Sequence, residues 1–439
     1  MIINNIFKLF IIELYLFQLC YNKVIFVFEI FRHGARSPSF MDENDIDLCG
    51  EQWNGIQELT NSGLRQQYLL GHYIRNKYPD LINYEKYNPK DIEVKATIKN
   101  RTIMSARAQL NGIFNNSKIK IKNPEKLNIG KPYYLINNNI INKNNISFYP
   151  NEYPEEIPIH IIDFEEKLDY LEKNNQCPII YKLRNKNKNR KEFKSFLQKY
   201  NQTFGEHLLN YYNITNNTDY FTIFDNVNQL SSNALCQQFD NRNIKLFGNN
   251  QEKLKLFYNL SQEFMNLKMI FFYANDETND LAYASSSILI RKILLYMERI
   301  INDINNNIND SPKLVLFSSH DSTLSSLQGI INILFQIEIK PPNFAASYIF
   351  ELNKENNEYH VNIIFNNIIV KAINFTYFKD KIKNDSWTFK KTGKICGFIK
   401  NKSNYNEYIW LMITVISSEI NSVIIGIIIF ILIKIIKTK

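Results

Sequence analysis

No long block of like charge occurs in this sequence: 52 Lys and Arg against 43 Asp and Glu give a formal charge of +9, but the basic residues are spread along the chain. That pattern reads as a solvated basic surface and points to no nucleic-acid partner. Cysteine is scarce, five in 439 residues, and the His, Cys and acidic residues show no spacing that would ligate a metal. The stretch from about 114 to 264 has no internal repeat, which excludes a solenoid there. The charge-free apolar stretch Ser422 to Ile433 is too short to cross a hydrocarbon core alone. Asn, Lys and Ile, by contrast, are abundant throughout, and that abundance reads as a compositional bias.

The length allows one large α/β domain with an insertion, or two domains. Val24 to Phe31 is a continuous run rich in Val, Ile and Phe, as expected of a strand buried on both faces of a central sheet. Arg32-His33-Gly34-Ala35-Arg36-Ser37-Pro38 follows, and Gly34 and Pro38 end the strand. Ligands of open α/β sheets bind beyond the carboxyl ends of the strands. Two guanidinium forks beside an imidazole suit a phosphate: Arg32 and Arg36 can donate paired hydrogen bonds, and His33 is free to attack phosphorus.

Arg-His-Gly-x-Arg-x-Pro after an N-terminal apolar strand resembles the signature of the histidine acid phosphatases, of the lysosomal and prostatic type. The resemblance implies an α/β fold: a central, mostly parallel sheet flanked by helices, with a mainly helical capping insertion. It also implies that His33 becomes phosphorylated and that Arg32 and Arg36 hold the phosphate. Glu58 to Arg75, with Thr60 as N-cap, reads as a helix ending before Pro79 and resembles the one that follows the signature; its His72 reads as a packing or exposed residue.

Ile92 to Ala96 alternates as a second strand, and a helix follows, so Arg101 falls at a strand-to-helix junction. Arg101-Thr102-Ile103-Met104-Ser105-Ala106 matches the family's Arg-Thr-x-x-Ser-Ala segment, which makes Arg101 a third phosphate ligand. Ala96-Thr97-Ile98 departs from the family's Ser-x-Asp and puts the orientation of Arg101 in question. Lys313 to Ser319 is another buried strand, ending at His320-Asp321 before a helix with Leu324, Leu327, Ile331 and Leu334 on one face. By the resemblance this pair is the second half of the site, with His320 on the phosphate and Asp321 protonating the leaving alcohol. That role requires the carboxyl form and predicts acid-shifted activity. No metal or other cofactor is called for.

The organisation expected is a signal peptide over 1–21, a first core segment over 23–113, a cap over 114–264, a second core segment over 265–400, a transmembrane helix over 417–436 and a cytosolic tail over 437–439. The catalytic part would face a lysosomal or vacuolar lumen or the outside, in a single-pass type I arrangement. Asn-x-Ser/Thr triplets at Asn145, Asn201, Asn213, Asn259, Asn374 and Asn384 are compatible with glycosylation there. The resemblance implies a Cys177–Cys396 disulfide. It puts the partner of Cys236 near Pro341 to Ser347, where there is no cysteine, so Cys236 is either free or paired with Cys49. Homodimers are common among animal relatives. The expected function is acid hydrolysis of small phosphate monoesters. Phytase-like or lipid-phosphate specificity, and an inactive cell-surface binding protein, are the alternatives.

Overall fold

The computed structural model describes residues 23–39, 53, 55–85, 87–114, 157–161, 177–212, 218–242, 244, 247–275, 277–356 and 358–398. The segments expected as signal peptide and transmembrane helix, and Cys49, lie outside these residues. Among the described residues no helix is long and apolar enough to cross a membrane.

The opening strand β1 (Lys23–Arg32) is the apolar run read from the sequence, and Phe26 to Phe31 are buried. Helix α1 (Asn61–Lys77) starts where Thr60 accepts a hydrogen bond from the Gly63 N–H. Strand β2 (Ile92–Ala96), helix α2 (Asn100–Phe114) and the short strand β3 (His160–Ile161) follow. Then come helices α3 (Pro178–Asn187), α4 (Lys191–Tyr212), α5 (Tyr220–Phe239) and α6 (Gln251–Met269). A π-helical turn at Ile270–Ala274 leads to α7 (Asp280–Asn305), β4 (Leu314–Ser319) and α8 (Asp321–Phe335). Three strands, β5 (Ser347–Glu355), β6 (Glu358–Phe365) and β7 (Ile368–Asn374), precede helices α9 (Phe375–Asp385) and α10 (Phe389–Ile395).

These strands form one sheet in the order β3-β2-β4-β1-β5-β6-β7. Strands β3, β2, β4 and β1 run parallel, whereas β1 with β5, β5 with β6 and β6 with β7 are antiparallel. The sheet is therefore mixed, not mostly parallel as expected. The cause is local: tight turns join β5 to β6 and β6 to β7, with Asn356, Asn366 and Asn367 at positive φ, and turns that short permit only antiparallel pairing.

Alternation along β1 builds a core on each face of the sheet. Phe26, Phe28 and Ile30 pack with Leu289, Ile293, Leu324 and Leu327 of α7 and α8. Val27 and Phe31 pack with Tyr68, Leu69, Ile74 and Leu110 of α1 and α2. Truncating a ring such as Phe28 to Ala would cost about 3–5 kcal/mol through lost burial and the cavity left behind.

Within the stretch expected as a cap, β3 belongs to the sheet, and α4, α5 and α6 surround an aromatic core of their own, including Phe193, Tyr200, Phe224, Phe257 and Phe264. Cys177 and Cys396 are disulfide-bonded, next to Trp387 and Leu281.

Candidate active site

Register brings the two halves of the site together. Arg32 pairs with Ser319 across the parallel strands β1 and β4, and the His33 N–H continues the ladder to the Ser319 carbonyl at 2.9 Å. Ala96 pairs with Ser318 on the other side of β4. The residues just beyond these three strand ends, His33, Thr97 and His320, therefore meet although up to 287 positions separate them (320 − 33).

The signature loop is clamped from α1 and α2. Gln66 Oε1 accepts from the Ala35 N–H at 2.8 Å, Gln67 Nε2 donates to the Arg32 carbonyl at 2.9 Å, and Ser105 Oγ accepts from the Gly34 N–H at 3.1 Å. Glycine is required at 34, because a Cβ there would strike the Gly63 backbone at the start of α1. Gln66 and Gln67 carry no sequence signal for this role, because glutamines on an amphipathic helix look solvent-exposed; Ser105 is the serine of the Arg-Thr-x-x-Ser-Ala match, to which the sequence assigns no contact.

His33 is 2% exposed, and its Nδ1 lies 2.8 Å from the Gly34 carbonyl oxygen. A carbonyl only accepts, so Nδ1 carries the proton and Nε2 keeps its lone pair. Burial, and then Arg101, Arg32, His320 and Arg36, push the His33 pKa well below the usual imidazole value. The ring is held neutral in mild acid, as a nucleophile requires.

Three guanidinium groups are brought to this imidazole. Arg32 Nη1 donates to the Pro342 carbonyl at 2.9 Å, Nη2 pairs with Asp321 Oδ2 at 2.8 Å, and the group lies 4.0 Å from the centre of the Phe344 ring. Arg36 Nη1 donates to the Ser37 carbonyl at 2.8 Å and reaches Cys236 Sγ at 3.5 Å. Arg101 Nη1 donates to Gln57 Oε1 at 3.0 Å, and Nη2 is 3.4 Å from His320 Nδ1. Gln57 orients Arg101 despite the Ala96-Thr97-Ile98 departure.

The His320 ring meets that of His33 edge-on, with centroids 5.5 Å apart. Its Nε2 is 2.9 Å from Thr97 Oγ1, which is 2.8 Å from Thr102 Oγ1. A guanidinium only donates, so Nδ1 accepts from Arg101 and the Nε2 proton goes to Thr97. Thr97 then donates to Thr102, whose hydroxyl donates to the Lys99 carbonyl at 2.7 Å. The sequence marked Thr97 only as part of the departure from the family pattern and assigned it no contact with His320.

Asp321 opens α8, where the helix N-terminus favours its charge. Burial raises its pKa, but Arg32, Arg36, Lys268 and His320 outweigh burial and hold the carboxyl well below the usual range. Paired with Arg32, it is a carboxylate. Cys236 is a buried free thiol; Phe344 packs beside it in the segment where the family places a half-cystine. His72 is buried against Tyr68 at 4.7 Å and is remote from this chemistry.

Residues 23–366 match the histidine phosphatase superfamily (branch 2). Prostatic acid phosphatase of Bos taurus is 27% identical over 347 residues, 78% of this chain and 77% of that protein. Lysosomal acid phosphatase of Xenopus laevis is 26% identical, over 78% of this chain and 69% of that protein. Among solved structures, the phytase of Citrobacter braakii superposes with a TM-score of 0.54 at 15% identity, covering 83% of this chain and 98% of the phytase, and so shares the fold. The phytase of D. castellii does so at 0.51 and 14%, covering 88% of this chain and 84% of its own. A family match over residues 23–366, most of its length, shows that the chain belongs to the histidine phosphatase superfamily, branch 2, and is a phosphatase.

Proposed function

We propose that this phosphatase hydrolyses phosphate monoesters in acid through a phosphohistidine at His33. The observation that carries the reading is the His33 imidazole, with Nδ1–H committed to the Gly34 carbonyl at 2.8 Å and Arg32, Arg36 and Arg101 acting on it. Nε2 attacks phosphorus in line, the P–O bond to the alcohol breaks, and the N–P bond forms. The three arginines hold the phosphoryl oxygens and stabilise the charge of the transition state; the bound anion draws Arg101 off His320 Nδ1, which then takes a proton and donates it to the same oxygens while Nε2–H stays on Thr97.

Asp321 supplies the proton for the departing oxygen. Bound phosphate competes for Arg32, so the ion pair loosens and a new anion stands beside the carboxyl. Both changes raise its proton affinity. Water then attacks the phosphohistidine, Asp321 accepts its proton, and phosphate leaves. His33→Ala should abolish turnover of every monoester; a variant as active as the wild type overturns the reading.

The relatives named lysosomal and the Cys177–Cys396 disulfide support an oxidising lumen or the cell exterior as the place of action. In this proposal residues 417–436 anchor the chain and the catalytic part faces that lumen. Resistance of the full-length chain to alkaline carbonate extraction supports the anchor, and release into the supernatant contradicts it.

A further inference from the structure

Asp321, Arg32 and Arg36 stand on one side of a solvent-open cavity. Its other walls are Leu235 and Phe239 of α5, Met265 and Met269 of α6, and Phe344 of the loop before β5. The rings of Phe239 and Phe344 meet edge-to-face at 5.0 Å, which extends the aromatic surface on which Arg32 rests. Ser232, Gln262 and Asn266 add polar atoms but no charge. Lys268 acts on Asp321 from a distance, but its ammonium group is held by Asn228 at 2.8 Å and does not line the cavity. Among the described residues, the only charges on the lining are the two arginines and the aspartate.

This arrangement has a direction. The proton donor has to stand at the ester oxygen that departs, so the alcohol attached to that oxygen extends into the cavity that Asp321 lines. His33, Arg101 and His320, which serve the opposite side of the phosphorus, are absent from that lining. Two thioether side chains can adjust to alkyl or aryl shapes of different width. A second phosphate on the alcohol would lose water against Met265, Met269 and Phe239 and find no further cation.

We infer that this cavity is the leaving-group subsite, that it takes the uncharged apolar alcohol of an alkyl or aryl monophosphate, and that it discriminates against polyphosphorylated alcohols. The inference rests on the proposed monoester reaction.

The test is kcat/KM of the full-length chain on ethyl, butyl and hexyl phosphate, whose alcohols differ little in acidity, alongside inositol hexakisphosphate. Burial of each added methylene should raise kcat/KM roughly two- to fourfold, so hexyl phosphate should exceed ethyl phosphate by at least about tenfold. Inositol hexakisphosphate should be the poorest of the four. Met265→Lys should reduce the hexyl-to-ethyl ratio and raise the rate on inositol hexakisphosphate relative to hexyl phosphate. Both readouts are ratios within one preparation and do not depend on the fraction folded. A flat alkyl series, a preference for inositol hexakisphosphate, or ratios untouched by Met265→Lys would overturn the inference. Failure to hydrolyse any monoester would instead overturn the reaction on which it rests.

Discussion

Arg32 Nη2 and Asp321 Oδ2 are 2.8 Å apart, an ion pair between the last residue of β1 and the first of α8. While this pair holds, Asp321 is a carboxylate; in the proposed mechanism it becomes an acid when phosphate draws on the same arginine.

Two pH limbs follow. His33 has its pKa well below the ordinary imidazole value, so the nucleophile stays competent as pH falls through mild acid. Protonated Asp321 in the complex is lost as pH rises, so kcat should decline toward neutrality. Asp321→Asn should remove that alkaline limb and lower kcat by about 10²–10⁴-fold on an alkyl phosphate, and by much less on an ester of an acidic phenol. Equal losses on the two esters would show that Asp321 is not the proton donor.

Thr97 should act through His320. Thr97→Val keeps the shape but leaves the Nε2 proton without an acceptor in a site where Thr97 is 1% exposed. The inhibition constant of inorganic phosphate should rise roughly 5- to 30-fold, the equivalent of one lost buried hydrogen bond, and Thr97→Ser should restore it. If valine binds phosphate as well as threonine does, the hydroxyl chain has no role in holding the anion.

Glu29 gives the fold a pH dependence of its own. It lies fully buried in β1, accepts a hydrogen bond from Gln109 Nε2 at 2.5 Å, and burial raises its pKa from 4.5 to about 8 against the pull of Gln109, Ser347 and Lys77. Between those values Glu29 binds more protons in the folded than in the unfolded chain, so its contribution to stability is greatest in acid and falls as pH rises. Glu29→Gln should remove roughly 2–4 kcal/mol of that decline. Chemical denaturation at two pH values on either side of neutrality measures it, and parallel pH dependence in both proteins would exclude Glu29 as its source.

The Cys177–Cys396 bridge closes a loop with a sequence separation of 219. Cys396→Ala should lower stability by about 2–5 kcal/mol. Thermal unfolding under non-reducing conditions tests this, and an unchanged midpoint would mean that the bridge constrains little.

Sequence patterns exposed the site more fully than the architecture around it. The continuous run of β1, the Thr60 cap and the His320-Asp321 pair after β4 are local signals, and each stands at the strand end or helix start where it was expected. Strands β5 to β7 were hidden because their turns are marked by asparagine, which is so common here that it looks like background. Yet Asn356, Asn366 and Asn367 adopt the positive φ that asparagine tolerates. The contact of Thr97 was invisible for another reason: its partner His320 is 223 positions away, and only the pairing of β2 with β4 brings them together. Cys236 is free, one of the two states the sequence left open, and it packs against Phe344.

The covalent intermediate is the central claim, and a rapid-quench experiment with a radiolabelled phosphate monoester tests it most directly. Quenched in alkali, the wild type should carry label that survives base, disappears on acid treatment, and maps to the peptide containing His33, while His33→Ala carries none. Label stable to acid, or label of equal size on His33→Ala, would contradict a phosphohistidine at this position.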